Sequence, residues 1–113
     1  MESNQITWGD FEKVAIRVGT VIDALDFPEA HKPAFKLFID FGVPTGVLKT
    51  SAQITKLYSK EELIGKQLIA VVNFPEKQIA HFKSQCLVLG AVNGDEVTLL
   101  QPMSKVKNGL KIS

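Results

Sequence analysis

The octet AFKLFIDF at residues 34–41 constrains this chain more than any other stretch, because its apolar residues recur with a period of two. Phe35, Leu37, Ile39 and Phe41 fall on one side, Lys36 and Asp40 on the other. A helix would scatter these residues around its axis, whereas a pleated strand gathers them on one face. The segment is read as a half-buried strand, and a strand with one apolar face needs a sheet to pair with and a core to cover. Phe38 falls on the polar side and is read as an outward apolar patch of the kind that dimer interfaces and peptide grooves use.

Partner strands are legible on either side. In residues 14–25, VAIRVGTVIDAL, the reading puts Ile16, Val18, Ile22 and Ala24 on one face and Arg17, Gly19 and Asp23 on the other, with Gly19 as the place for a bulge. Residues 42–46 turn through Pro44 into a third strand at Val47, Leu48 and Lys49. Residues 68–74, LIAVVNF, are apolar almost throughout, the pattern of a strand buried on both faces. Residues 86–91 make a fifth strand, and Asn93-Gly94 signals a type I′ hairpin into residues 96–100.

Two short helices punctuate these strands. Thr7 and Asp10 stand three apart as a capping box ahead of Trp8 and Phe11, with Ile6 placed to staple onto Phe11. Ser59 and Glu62 repeat the device, with Leu63 and Ile64 turned inward and Gly65 at the stop. The connection at 26–33, DFPEAHKP, is read as an exposed loop with His31 solvated. The tail at 101–113 carries Lys105, Lys107 and Lys111, with Val106, Leu110 and Ile112 to bury, and is expected to fold back on the body.

The resulting order is mainly all-β. It matches a five-stranded OB-fold β-barrel with a short helix between strands 3 and 4, a short N-terminal helix and a C-terminal hairpin and extension. With 113 residues, 45% of them hydrophobic, the chain has material for one such core and not two. Residues 1–113 are expected to form one domain: a helix at 6–13, the barrel at 14–91, and the hairpin and C-terminal extension at 92–113.

Charge is unevenly spread. Residues 1–45 hold four Lys/Arg against seven Asp/Glu, a net of −3, and residues 46–113 hold nine against five, a net of +4, so the second half is the better face for an anion. The single cysteine, Cys86, provides neither a disulfide framework nor a thiolate metal cluster, and a reducing compartment is expected. No stretch has the length and apolarity of a membrane span, and the N-terminus lacks a basic segment followed by an apolar one, so a cytoplasmic location without membrane insertion is expected.

Motifs for phosphate cradling, dinucleotide binding, zinc proteolysis and the serine elbow are missing. His81 and Ser84 are the best catalytic pair on offer, but no carboxylate is placed to orient the imidazole, and Ser84 is read as a hydrogen-bonding group. His81 with Cys86 makes only two ligands, too few for structural zinc. No catalytic residue, metal or cofactor is therefore expected. Interest settles on residues 73–89, NFPEKQIAHFKSQCLVL, read as a basic, proline-punctuated loop between two apolar strands.

That stretch, together with DFEKVAIRVGTVIDAL, resembles the tRNA-binding domain family, whose OB-fold module also occurs attached to methionyl- and phenylalanyl-tRNA synthetases. FPEA, FKLFIDFG, SAQITKLY and VVNFP resemble the small free-standing CsaA-type secretion chaperones within it. Lys83 and Ser84 match the family's closing signature; His81 replaces a common Gly, and Cys86-Leu87 replace Gly-Met.

The resemblance implies a homodimer that binds tRNA and holds unfolded or precursor polypeptides for a protein-export translocase. The alternative is a general structure-specific tRNA-binding protein without a chaperone role. For tRNA, Lys49, Lys56, Lys77 and Lys83 are expected on phosphates, with Asn73 and Ser84 hydrogen-bonding. For a peptide, Phe74, Ile79 and Phe82 are expected to line an apolar groove, although each phenylalanine taken singly reads as core.

Overall fold

The structure is a computed structural model that describes residues 4–113. Strand β2 (Phe35–Asp40) keeps the alternation of its sequence. Phe35, Leu37 and Ile39 are buried together with Phe41, just past its end, while Lys36, Phe38 and Asp40 lie on the partly exposed face. It pairs antiparallel with β1 (Ile16–Asp26) and β3 (Val47–Ala52), and β1 pairs in turn with β4 (Gln67–Val71) and β4 with β7 (Leu87–Val88). The sheet order β3-β2-β1-β4-β7 curls into a nearly closed antiparallel barrel of the expected OB-like class.

The gap between the end strands β3 and β7 is spanned by polar contacts rather than a full ladder. The Gln85 N–H donates to the Lys49 carbonyl at 2.7 Å, the Lys49 N–H to Gln85 Oε1 at 3.1 Å, and Thr50 Oγ1 to the Cys86 carbonyl at 2.6 Å.

Two apolar layers explain why β4 is buried at every position. Leu68 and Ala70 face the barrel interior with Val21, Leu37, Ile39, Phe41, Leu63 and Cys86. Ile69 and Val71 face the other way, join Ile16 and Val18, and are covered by Phe11, Leu89, Val106 and Ile112. The tail supplies much of that cover. It runs beside β1, with the Gly109 N–H donating to the Val18 carbonyl at 2.7 Å and the Ile112 N–H to the Ile16 carbonyl at 2.9 Å.

Both capping boxes form. Thr7 and Asp10 exchange hydrogen bonds of 3.0 and 3.1 Å at the start of α1 (Trp8–Glu12), and Ser59 and Glu62 exchange bonds of 2.7 and 3.2 Å at the start of α2 (Lys60–Leu63). The hydrophobic staple does not form: Ile6 is 69% exposed, and Phe11 packs instead on the outer layer over β1 and β4. Leu63 is buried as expected, but Ile64 lies outside because α2 ends at Leu63 and the chain turns extended.

In β1 the register shifts between Val21 and Asp23, so the bulge sits at Ile22 and not at Gly19. The shift points Val21 into the core and leaves Ile22 outside. Gly19 instead provides space. A Cβ there would stand 2.6 Å from Ile39 Cγ2 and 2.7 Å from the Phe41 ring, so its bare backbone makes room for both. The 26–33 connection is not wholly exposed either. Phe27 is buried with Ala34 and Phe82 in a satellite core that Phe38 also joins, so Phe38 forms no outward patch.

The stretch read as a basic loop is a β-ribbon of β5 (Lys77–Ile79) and β6 (Phe82–Ser84), with Ala80 in the left-handed region at its turn (φ 54°). The apolar run after it divides into β7 and β8 (Gly90–Asn93), and β8 pairs with β9 (Glu96–Leu99) as a projecting hairpin. Its two-residue turn is Gly94-Asp95, one residue later than the sequence suggests. Gly94 alone has positive φ (62°), the sign pattern of a type II′ turn and not of type I′.

Candidate functional site

The two hairpins stand on either side of the gap between β3 and β7, and together they enclose a groove of about 710 Å³. One wall is the run of Thr50 to Ile54 from β3 and the residues after it. The floor and far wall are Cys86 to Gly90 with Val92, Val97 and Leu99, and Phe74, Pro75, Lys77, Ile79 and Ser84 close the third side. The lining is mostly aliphatic and, among the described residues, its one charged side chain is Lys77, a composition suited to an apolar ligand with a cation at the rim.

Each hairpin is held by named bonds. Ser84 Oγ accepts the Ser51 N–H at 3.0 Å and lies 3.3 Å from Ser51 Oγ, which pins β6 against β3. The Gln85 side chain joins Lys49 to Glu76, its Nε2 donating to Glu76 Oε2 at 3.1 Å. On the other side the Leu99 N–H donates to Tyr58 Oη at 3.0 Å, and Lys56 pairs with Asp95 across 3.6 Å, tying the β8–β9 turn to the connection after β3.

The residues singled out in the sequence do not share one place. Phe74, 54% exposed, Ile79, Lys77 and Ser84 come together in the groove lining. Phe82 does not line it: it is buried beneath the β5–β6 ribbon, edge-on to Phe27 (5.4 Å between centroids) and Phe38 (6.4 Å), and Lys49 Nζ lies 5.1 Å over its ring. Lys83 is exposed on the ribbon.

Lys56 stands apart in its pair with Asp95, and Asn73 is engaged elsewhere. Asn73 Nδ2 donates to the Lys13 carbonyl at 2.7 Å and its Oδ1 accepts the Ala15 N–H at 2.9 Å, which fixes the path from α1 into β1.

Sequence reasoning missed the floor and the far wall. Leu87 and Leu89 read as part of the fifth strand and Val97 and Leu99 as part of the strand after the hairpin turn, and only their position beside the β8–β9 hairpin makes them, with Val92, groove lining. Lys36 was also missed; its Nζ lies 4.8 Å over Phe27 and 5.4 Å over Phe82. Cys86 is buried at the groove floor, and burial pushes its thiol up to about 12, with a hydrogen bond from Thr50 acting in the opposite direction. Such a thiol is neutral and inert at neutral pH.

Residues 16–111 match a family model described as "Putative tRNA binding domain". The fold is similar to that of the chaperone CsaA of Bacillus anthracis str. Ames, at 51% identity, a TM-score of 0.92, and coverage of 96% of this chain and 99% of that one. It is similar also to the CsaA chaperone protein of Picrophilus torridus, at 55% identity, a TM-score of 0.91, and coverage of 96% and 100%. The methionine–tRNA ligase of Pyrococcus horikoshii is 35% identical over 111 residues, which are 98% of this chain and 15% of the ligase, so the chain corresponds to a small part of that enzyme.

Proposed function

Since the chain belongs to the tRNA-binding domain family, we propose that it is a non-enzymatic binding protein of the CsaA chaperone kind, which holds unfolded or precursor polypeptides and binds tRNA. The observation that carries the polypeptide half is the aliphatic groove between the β5–β6 and β8–β9 hairpins, with Phe74, Ile79 and Lys77 on its rim. An extended chain can bury alternate side chains in such a groove, and Lys77 favours clients with an acid near the buried segment. Phe82 serves indirectly, by supporting the ribbon from below.

The tRNA half rests on family membership and on Lys49, Lys77 and Lys83 around the ribbon, with Ser84 fixing its attitude to β3. Lys56 reaches a phosphate only by giving up Asp95, and Asn73 contributes by positioning β1.

The protein acts as a homodimer in the cytoplasm and passes its clients to the export machinery. The exposed Trp8 of α1 supports the pairing. The test is suppression of aggregation: the purified chain at a stoichiometric level is expected to keep a chemically denatured client in solution after dilution. Unchanged light scattering with excess protein present rejects the chaperone reading.

A further inference from the structure

The ladder between β2 and β3 sets which backbone groups of β3 face outward. The Phe41 N–H donates to the Gly46 carbonyl at 3.0 Å, and in the register that follows Leu48, Thr50 and Ala52 turn their backbone groups to β2, while Lys49 and Ser51 turn theirs away. On this outer edge Gln85 satisfies both backbone groups of Lys49, and Ser84 Oγ accepts the Ser51 N–H. Past that point the edge is open. The Ser51 carbonyl receives only Thr50 Oγ1, at 3.2 Å. Gln53, the next residue of the same phase, is exposed and makes no hydrogen bond among the described residues, by backbone or by side chain.

Glutamine side chains elsewhere in this fold stand in for a neighbouring strand. Gln67 pairs with both backbone groups of Val106, Gln85 Oε1 accepts the Lys49 N–H, and Gln78 Nε2 donates to the Ala80 carbonyl at 3.0 Å. Gln53 carries the same amide on the free edge, with no main chain opposite it. Such an amide offers a donor and an acceptor together, which match the main chain of a residue whatever its side chain.

The surfaces on the two sides of Gln53 differ. The apolar groove and a second recess of about 230 Å³ share Ser51, Gln53 and Ile79, so these residues form the ridge between them. On one side lie Leu87, Val92, Val97 and Leu99; on the other lie His31 and Lys32, between Ala30 and Ala34.

We infer that the open edge of β3, the Ser51 carbonyl together with Gln53, pairs with the main chain of a client polypeptide along this ridge, and so selects extended segments whose apolar residues recur at every second position. This rests on the polypeptide-holding reading above and adds to it a recognition residue and a class of client. Successive side chains of a strand point to opposite faces. A chain paired on the ridge therefore sets one series into the aliphatic groove and the other over the recess beside His31 and Lys32. A segment with helical periodicity puts apolar residues on both sides. Main-chain bonds supply affinity in a strand addition of this kind, and the pockets for alternate side chains supply specificity.

The experiment measures binding of end-capped, dansylated octapeptides to the full chain by fluorescence. One peptide alternates leucine and serine, and a second holds the same residues in a helical order. Two more repeat the alternating sequence with N-methyl groups on the leucines only or on the serines only. Each is titrated against wild type and Gln53→Met, which keeps the length of an exposed side chain and removes its amide.

The alternating peptide is expected to bind at least about tenfold tighter than the helical order. Methylation of one series is expected to weaken it about tenfold, and methylation of the other by less than about twofold, because only one series turns its N–H groups to β3. Gln53→Met is expected to weaken the unmodified peptide about fivefold, the effect of one net hydrogen bond, and the sensitive methylated peptide by less than about twofold. Equal effects of the two methylations, or an unchanged affinity in Gln53→Met, overturn the pairing edge and leave groove binding standing. Equal binding of the two residue orders overturns the selection of period-two clients. A wild type that binds none of the peptides overturns this inference together with the polypeptide reading.

Discussion

The side-chain amide of Gln67 treats the backbone of Val106 as a neighbouring strand would: Nε2 donates to the Val106 carbonyl at 2.6 Å and Oε1 accepts the Val106 N–H at 3.0 Å. Gln67 is buried, and its Nε2 also reaches Asn108 Oδ1 at 3.1 Å, which in turn accepts from Thr20 Oγ1 at 2.7 Å. One polar side chain in an otherwise apolar strand thus fixes the tail over the outer face of the barrel.

Replacing Gln67 with leucine keeps the bulk and strands the Val106 backbone groups. The expected cost is about 1–3 kcal/mol for donors and acceptors left unpaired. Denaturant melts give the loss, and amide exchange at Val106 is expected to accelerate together with that of Ile112, which shares the tail.

Ser84→Ala removes the acceptor of the Ser51 N–H and is expected to destabilise by about 1–2 kcal/mol. The role is structural, since the hydroxyl's hydrogen-bond partners are both on Ser51. A serine-reactive fluorophosphonate is therefore expected to leave the native protein unlabelled; stoichiometric labelling at Ser84 contradicts this role.

Cys86 couples the groove floor to pH. Its thiol is raised from 9.0 to about 12 in the folded chain, so the native state keeps its proton where the unfolded state loses it. Stability from this source is full below pH 9 and falls as pH rises from 9 toward 12, at up to about 1.4 kcal/mol per pH unit. Wild type is expected to lose about 2 kcal/mol more than Cys86→Ala between pH 8.5 and 10.5 in urea melts. Alkylation by iodoacetamide at pH 8 is expected to be negligible until the protein is unfolded.

The proposed homodimer gives Trp8 a partner. Trp8 is 86% exposed in the single chain, and burial of a tryptophan at an interface is worth about 2 kcal/mol or more when it is a principal anchor. Light scattering at micromolar concentration is expected to return twice 12.4 kDa, with Trp8→Glu shifting the midpoint of dissociation by at least about tenfold. A mass of 12.4 kDa for the wild type rejects the pairing.

What can be read from the sequence follows the range of the forces involved. The capping boxes at Thr7 and Ser59 act over three residues and are legible in full, as is the alternation from Phe35 to Phe41, which any covered sheet face imposes. Features set by distant partners are not legible. Whether β1 bulges at Gly19 or at Ile22 depends on Ile39 and Phe41 pressing against Gly19, and neither is near in sequence.

The site shows the same division. Phe74, Lys77, Ile79 and Ser84 are close in the chain, stand out as a group and share the groove, whereas Phe82, on the same face of the ribbon as Ile79, is taken up by the satellite core with Phe27 and Phe38. Lys36 carries a visible charge, but only the fold sets it over Phe82.

The tail along β1 also gives folding an order in time. Val18 and Ile16, near the start of the chain, exchange backbone hydrogen bonds with Gly109, Leu110 and Ile112 at its far end. A ribosome delivers those partners long after β1, so the nascent barrel carries a partly uncovered apolar flank of Ile16, Val18, Ile69 and Val71 until residues 106–112 leave the exit tunnel. During its own synthesis the chain presents the kind of surface that it is proposed to shield in others.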